Sequence, residues 1–435
     1  MDIHIFPASN VTKVIQDAID TVYEAGGGTV ILNDGEYHLT SVLLRSNVTL
    51  FLRKNVLIVG SRDPEVYDLG ELLQCPENTD YSNDAKTNPL EYLGRFRLKP
   101  ARSTDPFSRW SRAIIKAYRA KNIAVIGEKG ATIDGQNCYD ALGEENFRGP
   151  HFINFHECDG IILKGYTLKN SSNWGNAIFT SANILCEDIT VIAGHDGVDI
   201  LSCDNVTIRN CCFQTGDDCI AGFDCCNVQV ENCEFNTACN ALRIGGNNVC
   251  VSKCYFHGPG LWGQRGCMSL EDKIAGKMAL ADNSRVNMLS LFCYYCDFRY
   301  RLRKPAEHIV IEDCVVENCD RLIDYSFTAP EHIWAKNEPL KNLTFKGIHA
   351  KGLCVASSLL APADVPLEVF FYDCKLELVE KEFAIAEHCD GLHFENVEIT
   401  GAQDPIITIV DGCERKEWNM HDWMKREDMN HEIKE

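Results

Sequence analysis

Acidic side chains concentrate in two short segments of the sequence. The first reads Gly194-His195-Asp196-Gly197 and the second reads Gly216-Asp217-Asp218, with Asp196 and Asp217 spaced 21 residues apart. Carboxyl groups that lie close together raise one another's pKa, so one can stay protonated while its neighbour is ionised. A protonated and an ionised carboxyl group are the acid and base that hydrolyse glycosidic bonds.

The same residues allow two other interpretations. Calcium takes about six to eight oxygen ligands, and Asp199 would add a fourth nearby carboxylate to Asp196, Asp217 and Asp218. Aspartate and glycine are also common in turns. Residue type and spacing therefore leave catalysis, calcium binding and a solvated turn open.

The elements that position these acids are predicted by an internal repeat. Four segments follow the pattern Asn-Val-x-Ile-x-Asn-Cys-x-Phe at intervals of 22, 22 and 21 residues. They start at Asn183, Asn205, Asn227 and Asn248. Apolar residues alternate along each segment, as in a strand, and stacked repeats bury the face that one strand cannot. The sequence therefore predicts an all-β fold, a right-handed parallel β-helix with Asp196 and Asp217 on one face of successive coils.

The predicted organisation is a single domain over residues 1–435 with irregular additions. An amphipathic helix at residues 11–25 would cap the open N-terminal end of the β-helix. Two stretches without the repeat, residues 62–110 and 259–305, are interpreted as loop insertions, and residues 414–435 as a charged tail. Insertions in repeat proteins map to one face, which is often the binding face.

Composition limits the possible binding partners of the protein and its cellular compartment. The chain has 435 residues, 45% of them hydrophobic, and a formal net charge of −21. This charge argues against a nucleic-acid partner or an anionic membrane surface, and no apolar run has the ~18 residues of a membrane span. The chain has 23 cysteines, and we expect no secretion signal from its first residues. Together these features predict that the cysteines are free thiols packed in the core and that the location is cytoplasmic. The sequence indicates no oligomeric state.

Several stretches resemble the family 28 glycoside hydrolases, the polygalacturonases. The most specific are Asp196-Gly197-Val198-Asp199-Ile200 and, one coil later, Thr215-Gly216-Asp217-Asp218-Cys219-Ile220-Ala221. Other similar stretches are Gly27-Gly28-Thr29-Val30, Asp134-Gly135 and Leu168-Lys169-Asn170-Ser171. The resemblance covers about residues 5–400.

This resemblance implies a role for each acid. Asp217 would donate a proton to the leaving oxygen, and Asp196 and Asp218 would hold and deprotonate the attacking water. The implied reaction is hydrolysis with inversion, with no metal and no organic cofactor. The implied partner is an oligosaccharide substrate derived from pectin, of the galacturonide or rhamnogalacturonan type, and a cytoplasmic location favours exo-action on short chains.

Three parts of the family pattern are changed. The family usually has Asn-Thr-Asp where this chain has Gly194-His195-Asp196. Asn240 stands where the family has a histidine that supports the acid. The family's Arg-Ile-Lys binds the galacturonate carboxylate, and its nearest equivalent here is Gly266-Cys267-Met268-Ser269-Leu270. Arg243 is the candidate replacement cation for a substrate carboxylate or hydroxyls, or else a partner of Asp217 or Asp218.

The remaining candidates each have two interpretations. His195 would support an acid in place of the family histidine, or lie at a surface bend. Trp174 would stack on a sugar face, or pack in the core. Arg265 and Lys273 of the second insertion would reach the cleft, and Tyr325 would line it.

Two other functions are compatible with the same scaffold. One is a polysaccharide lyase or fructan transferase, of which the lyase would need a basic residue and usually calcium. The other is a non-catalytic carbohydrate-binding β-helix, motivated by the replaced histidine, arginine and lysine. An unsaturated product would identify the lyase, and glycan binding without turnover would identify the non-catalytic protein.

Overall fold

The chain divides into two compact units of parallel β-structure. The first comprises Met1–Asp217 and Trp262–Asp282, and the second comprises Asp218–Leu261 and Asn283–Glu435. The single domain that the sequence predicted over residues 1–435 stays a prediction. The computed structural model describes residues 1–74, 108–143, 147–262, 269–276, 287–295, 305–326, 339–389 and 391–411.

The first unit is built from short parallel strands that stack in register. Leu163, Cys186 and Ile208 lie opposite one another on three successive strands, and all three are fully buried. Such a column buries a continuous apolar face that no single strand could bury. In chain order the strands are β1 (Asp2–Ile5), β2 (Gly28–Leu32), β3 (Gly35–Leu39), β4 (Val42–Leu44), β5 (Val48–Leu52), β6 (Val56–Gly60), β7 (Ala113–Tyr118), β8 (Lys121–Gly127), β9 (Thr132–Asp134), β10 (His151–His156), β11 (Asp159–Lys164), β12 (Thr167–Lys169), β13 (Asn176–Phe179), β14 (Ala182–Glu187), β15 (Thr190–Ala193), β16 (Val198–Leu201), β17 (Asp204–Arg209) and β18 (Cys212–Thr215).

The second unit follows the same plan. Val249, Ile309 and Leu343 form a buried column on strands that pair in parallel. Its strands are β19 (Ile220–Glu231), β20 (Glu234–Thr237), β21 (Asn240–Ser252), β22 (Tyr255–His257), β23 (Met288–Tyr294), β24 (Glu307–Glu312), β25 (Val315–Glu317), β26 (Cys319–Ser326), β27 (Asn342–Lys346), β28 (His349–Leu353), β29 (Ser357–Leu360), β30 (Glu368–Tyr372), β31 (Lys375–Lys381), β32 (Ala384–Glu387), β33 (Gly391–Glu395), β34 (Glu398–Ala402) and β35 (Ile407–Asp411). The predicted fold class, an all-β right-handed parallel β-helix, is confirmed.

The asparagine that begins each repeat makes a sharp bend. Asn183 and Asn205 both have φ 57°, in the left-handed region that asparagine tolerates better than most residues. The Asn205 side-chain amide donates to Oδ1 of Asn183 at 3.1 Å, and Asn122 donates in the same way to Asn47 at 3.0 Å. The repeated asparagine therefore turns the backbone and links one coil to the next.

The repeat cysteines are buried thiols, as predicted. In the second unit the backbone N–H of Cys233 donates to Sγ of Cys254 at 3.5 Å, and that of Cys254 donates to Sγ of Cys314 at 3.4 Å. The cysteines of the described residues are all free thiols. Burial raises the pKa of the Cys158 thiol to about 12, so this side chain stays neutral and packs as a small apolar group.

A helix covers one end of the first unit. The predicted helix at residues 11–25 is α1 (Val11–Glu24), and its fully buried residues Ile15, Ile19 and Val22 pack against strands of that unit. Within the described residues, no helix is both long and apolar enough to span a membrane.

The two insertions are more regular than predicted. The first contains short 3₁₀ helices at Pro64–Val66, Glu71–Gln74 and Arg109–Ser111. The second contains helix α2 (Leu270–Ile274) and also strand β23, which pairs with β21. Interpreting all of residues 259–305 as a loop was therefore wrong, because Met288–Tyr294 form a largely buried strand that pairs in parallel with β21. The predicted tail at 414–435 lies outside the described residues.

Candidate active site

The register of the first unit positions Asp217. Strand β18 pairs with β15 so that Thr215 lies opposite Ala193. The hydroxyl of Thr215 donates to the backbone carbonyl of Asp217 at 2.8 Å, which fixes the turn after the strand. Asp217 therefore lies one coil after His195-Asp196, as the spacing predicted.

Two of the acids in this unit are enclosed by protein. The exposed fraction of Asp196 is 2% and that of Asp199 is 1%. A solvated turn is therefore excluded for both residues. The side chain of Asp217 is 16% exposed, which leaves it accessible to a ligand. A general acid needs such access because it must contact the leaving oxygen.

Asp217 pairs with an arginine that sequence analysis missed. Nη2 of Arg148 donates to Oδ2 of Asp217 at 3.2 Å, and the Arg148 side chain is 8% exposed. The guanidinium carbon lies 5.7 Å from the ring centroid of Trp110. A guanidinium at this distance stabilises the ionised carboxylate. Arg148 lies outside the repeat and 69 residues before Asp217, so no periodic signal marked it.

The loop that carries Arg148 is anchored to the first unit. The backbone N–H of Gly149 donates to the carbonyl of Ser172 at 3.2 Å, and Nδ2 of Asn173 donates to the carbonyl of Gly149 at 3.0 Å. A Cβ at Gly149 would lie 1.8 Å from the backbone oxygen of Cys138. Only glycine fits this close approach, so the backbone next to Arg148 has a fixed position.

His195 contacts the same loop. Its Nε2 lies 3.0 Å from the hydroxyl of Tyr139, and the side chain is buried. Nζ of Lys273, on helix α2, lies 5.7 Å from the Tyr139 ring centroid and 5.6 Å from that of Phe147. The structure therefore contradicts a surface bend for His195, and its support of an acid stays a prediction. Arg265, which was predicted to reach the cleft, lies outside the described residues.

The second unit begins with Asp218, which two residues of β21 hold. Asn240 donates to Oδ1 through its side-chain Nδ2 at 2.8 Å and through its backbone N–H at 3.3 Å. Nε of Arg243 donates to Oδ2. An ionised carboxylate offers about four lone-pair sites, and these bonds use three of them. Asp218 is therefore fixed in orientation, and its bonds to the described residues leave one lone-pair site.

Asn240 connects Asp218 to the following coil. The hydroxyl of Ser290 donates to Oδ1 of Asn240 at 2.7 Å, and the strand register places Ser290 opposite Asn240. An amide can therefore take over the support that a histidine gives in the family pattern, because it bridges a carboxylate and a hydroxyl.

The same register identifies the coil that follows β21. The coil after β21 is β23, in which Cys293 lies opposite Arg243. In the sequence, residues 266–270 are the nearest equivalent of the family's Arg-Ile-Lys, but Ser269 caps helix α2 and Leu270 begins it. The strand that follows β21 in the same sheet is therefore β23, because the second insertion lengthens the interval between these two coils.

Arg243 is enclosed against its acid partner. It is 2% exposed, and its guanidinium carbon lies 5.1 Å from the ring centroid of Phe223 and 5.3 Å from that of Tyr295. Together with the bond to Asp218, this environment favours the ion-pair interpretation over substrate contact.

Trp174 and Tyr325 pack inside their units. Trp174 is 2% exposed and lies edge-on to Trp110, with ring centroids 5.3 Å apart. This burial favours core packing over stacking on a sugar. Tyr325 is also buried, and its hydroxyl accepts the backbone N–H of Leu340 at 3.2 Å. Neither side chain presents a face to a ligand.

Two buried histidines lie beside this aromatic cluster. His151 and His156 are both on β10, and the His156 ring stacks on Phe179 at a centroid distance of 4.5 Å. Burial lowers the pKa of each histidine to about 3, and the positive charge of Lys116 acts in the same direction. Both rings are therefore neutral in the folded protein near pH 7.

The neutral histidines make folding stability depend on pH. Between about pH 6.5 and pH 3 the unfolded chain binds a proton on each histidine that the folded chain does not. The free energy of unfolding therefore falls as pH is lowered, by up to about 1.4 kcal/mol per pH unit for each histidine. We expect His156→Phe, which retains an aromatic ring against Phe179, to lose less stability than wild type between pH 6.5 and 4.5. Urea unfolding at several pH values measures this difference, and parallel losses in both proteins would contradict it.

Comparison of sequences connects this geometry to a known family. Residues 103–246 match the family model described as glycosyl hydrolases family 28. A probable polygalacturonase of Vitis vinifera is 28% identical over 220 residues, which are 47% of this chain and 39% of that protein. The match thus spans well under half of that relative. Both findings confirm the family resemblance seen in the sequence.

Solved structures show the same fold. A hyperthermoactive exopolygalacturonase from Thermotoga maritima superposes with a TM-score of 0.60 at 16% identity, over 92% of each chain. The polygalacturonase of Erwinia carotovora ssp. carotovora has a TM-score of 0.57 at 15% identity, over 94% of this chain and 96% of its own. At these identities the likeness establishes the fold.

Proposed function

We propose that this protein, whose residues 103–246 match the family model of glycosyl hydrolases family 28, hydrolyses glycosidic bonds in pectin-derived oligosaccharides. The substrate is of the galacturonide or rhamnogalacturonan type, the action is exo, and the anomeric carbon is inverted. The observation that carries the proposal is the placement of Asp217, an accessible carboxyl group one coil after the buried carboxyl group of Asp196.

The proposed mechanism assigns the acids as the family resemblance implies. Asp217 donates its proton to the glycosidic oxygen as the bond to the anomeric carbon breaks. Asp196 and Asp218 hold a water molecule, and the proton that the water loses passes to this pair of carboxylates. The oriented carboxylate of Asp218 supports this role, because Asn240 and Arg243 fix both of its oxygens.

The exo mode rests on a proposed cytoplasmic location, where short imported chains are the available substrates. Free thiols persist in a reducing compartment, and the cysteines of the described residues are free thiols. A binding cleft that is open at one end is enough to bind the end of a short chain. We therefore expect the protein to release one sugar at a time from that end.

A substrate panel tests the proposed function. Purified protein would be incubated with oligogalacturonides, rhamnogalacturonan fragments and neutral oligosaccharides, and products would be followed by mass and by NMR of the new anomeric centre. We expect single units to be released from acidic chains, first as the anomer opposite to that of the cleaved bond. Absence of release from every substrate would overturn the proposal, and retention of the anomer would overturn inversion. An unsaturated product absorbing in the ultraviolet would identify a lyase.

A further inference from the structure

The pairing of Arg148 with Asp217 bears on which sugars this protein can turn over. We propose that Arg148 receives the carboxylate of a uronic acid substrate and in doing so releases Asp217 to act as the acid. This inference rests on the proposed function, since it concerns the specificity of the same reaction. Arg148 is thereby a specificity-determining residue in a loop outside the repeat.

The ion pair as it stands opposes acid catalysis. Asp217 must carry a proton to protonate a leaving oxygen, but Nη2 of Arg148 lies 3.2 Å from its carboxylate. The two side chains are only 8% and 16% exposed, so water screens the pair weakly. Protonating Asp217 removes the negative charge that faces a nearly buried guanidinium, which is unfavourable.

The neighbouring cations of the first unit have acid partners outside the catalytic coils. Arg112 donates to Oε2 of Glu65 at 3.0 Å, and Lys116 lies 3.3 Å from Oδ2 of Asp68. Arg109 bonds to Glu65 and to Asp140. Arg148 differs from them because its carboxylate partner is the residue whose proton the reaction requires.

An anionic substrate resolves this conflict. The guanidinium is a planar fork that binds carboxylates through two parallel bonds. When a sugar carboxylate takes the place of Asp217 on Arg148, the Asp217 carboxylate takes up a proton from solvent. Asp217 then gives this proton to the glycosidic oxygen as the C–O bond breaks, and the proton lost by the attacking water passes to the base. A neutral sugar leaves the ion pair intact and Asp217 ionised.

The surroundings of Arg148 suit an exchange of partners. The Trp110 ring lies against its guanidinium and Gly149 fixes the backbone beside it, so the cationic group is held in place while its partner changes. A cation on an aromatic face keeps favourable electrostatics without a fixed hydrogen-bond direction. Rotation of the Asp217 side chain is then enough to make the guanidinium available to a ligand.

Charge selectivity tests the inference. An aryl galacturonide and an aryl galactoside with the same leaving group differ only in the carboxylate. We expect wild type to prefer the galacturonide by about 100-fold or more in kcat/KM, as for a site that binds one polar group of its substrate. Much of this difference should be in kcat. In Arg148→Gln the preference should fall at least 10-fold, and galactoside turnover should rise because Asp217 is no longer paired with a guanidinium. Arg119→Gln breaks a comparable pair with Glu157, 2.8 Å long, and should retain the wild-type preference.

The outcomes separate this inference from the proposed function. If wild type hydrolyses glycosides and Arg148→Gln keeps its preference within twofold, the inference is overturned and the function stands. If wild type hydrolyses nothing, the function fails, and calorimetry with free galacturonate and galactose decides the inference. Selective galacturonate binding that weakens at least 10-fold in Arg148→Gln supports it, and equal or absent binding overturns it. If Arg148→Gln fails to fold, Arg148→Lys replaces it, because lysine keeps the positive charge without the planar guanidinium. This variant must lower kcat/KM for the galacturonide and leave kcat/KM for the galactoside as in wild type.

Discussion

Replacing Asp217 by asparagine is expected to reduce glycoside turnover by about 10²–10⁴-fold, the range of general acid catalysis. Asparagine has nearly the same shape but no acidic proton for the leaving oxygen. The loss should disappear on a substrate such as a glycosyl fluoride, whose leaving group departs without protonation. Initial rates on an alkyl glycoside and on the fluoride, measured for both proteins, separate an acid from a residue that only maintains structure.

The matched control for this change is Asp188→Asn. Asp188 is an exposed aspartate of the first unit, 3.9 Å from Nζ of Lys164. The Asp188→Asn variant should hydrolyse both the alkyl glycoside and the glycosyl fluoride at the wild-type rate. Equal loss on the two substrates in Asp217→Asn, or no loss on either, would contradict the acid role.

Replacing Arg243 by methionine is expected to lower the free energy of unfolding by roughly 3–5 kcal/mol, the cost of breaking a buried ion pair. The change leaves the Asp218 carboxylate enclosed without the guanidinium that bonds to it. Adding Asp218→Asn removes the isolated charge, so the double variant should recover part of the stability. Urea unfolding of the three proteins measures this coupling.

An exposed ion pair of the same unit is the control. Lys253 lies 2.8 Å from Glu231, and both side chains are largely exposed. Lys253→Met should unfold close to the wild-type urea concentration, because solvent already screens that pair. If Arg243→Met is no less stable than Lys253→Met, the buried pair does not have the assigned effect.

The repeat could be predicted from the sequence because its signals are local. An asparagine that suits a left-handed bend, apolar residues two apart and an interval of about 22 residues together specify strand, turn and stacking. The same interval placed Asp217 one coil after Asp196, because residues that are one repeat apart in the sequence lie on neighbouring stacked coils. The capping helix followed from its own periodicity.

The partners of the acids could not be predicted in this way. Arg148 approaches Asp217 from a loop whose path depends on contacts at Gly149 and Asn173, and Ser290 reaches Asn240 across an insertion of irregular length. Neither has a fixed offset in the sequence. For Arg243 the sequence left both a substrate contact and an ion pair open, and burial between Phe223 and Tyr295 decided between them.

The many buried thiols have a consequence for how this protein is inactivated by heat. Thiolates, not thiols, react with oxidants and with other sulfur atoms. Burial raises the pKa of Cys138 and of Cys158 to about 12, so the folded chain is chemically inert at these positions. Unfolding returns such groups to an ordinary thiol pKa near ~8.5 and exposes up to 23 of them at once. In air, unfolded molecules would cross-link before they refold, so heat inactivation becomes irreversible unless a reductant is present.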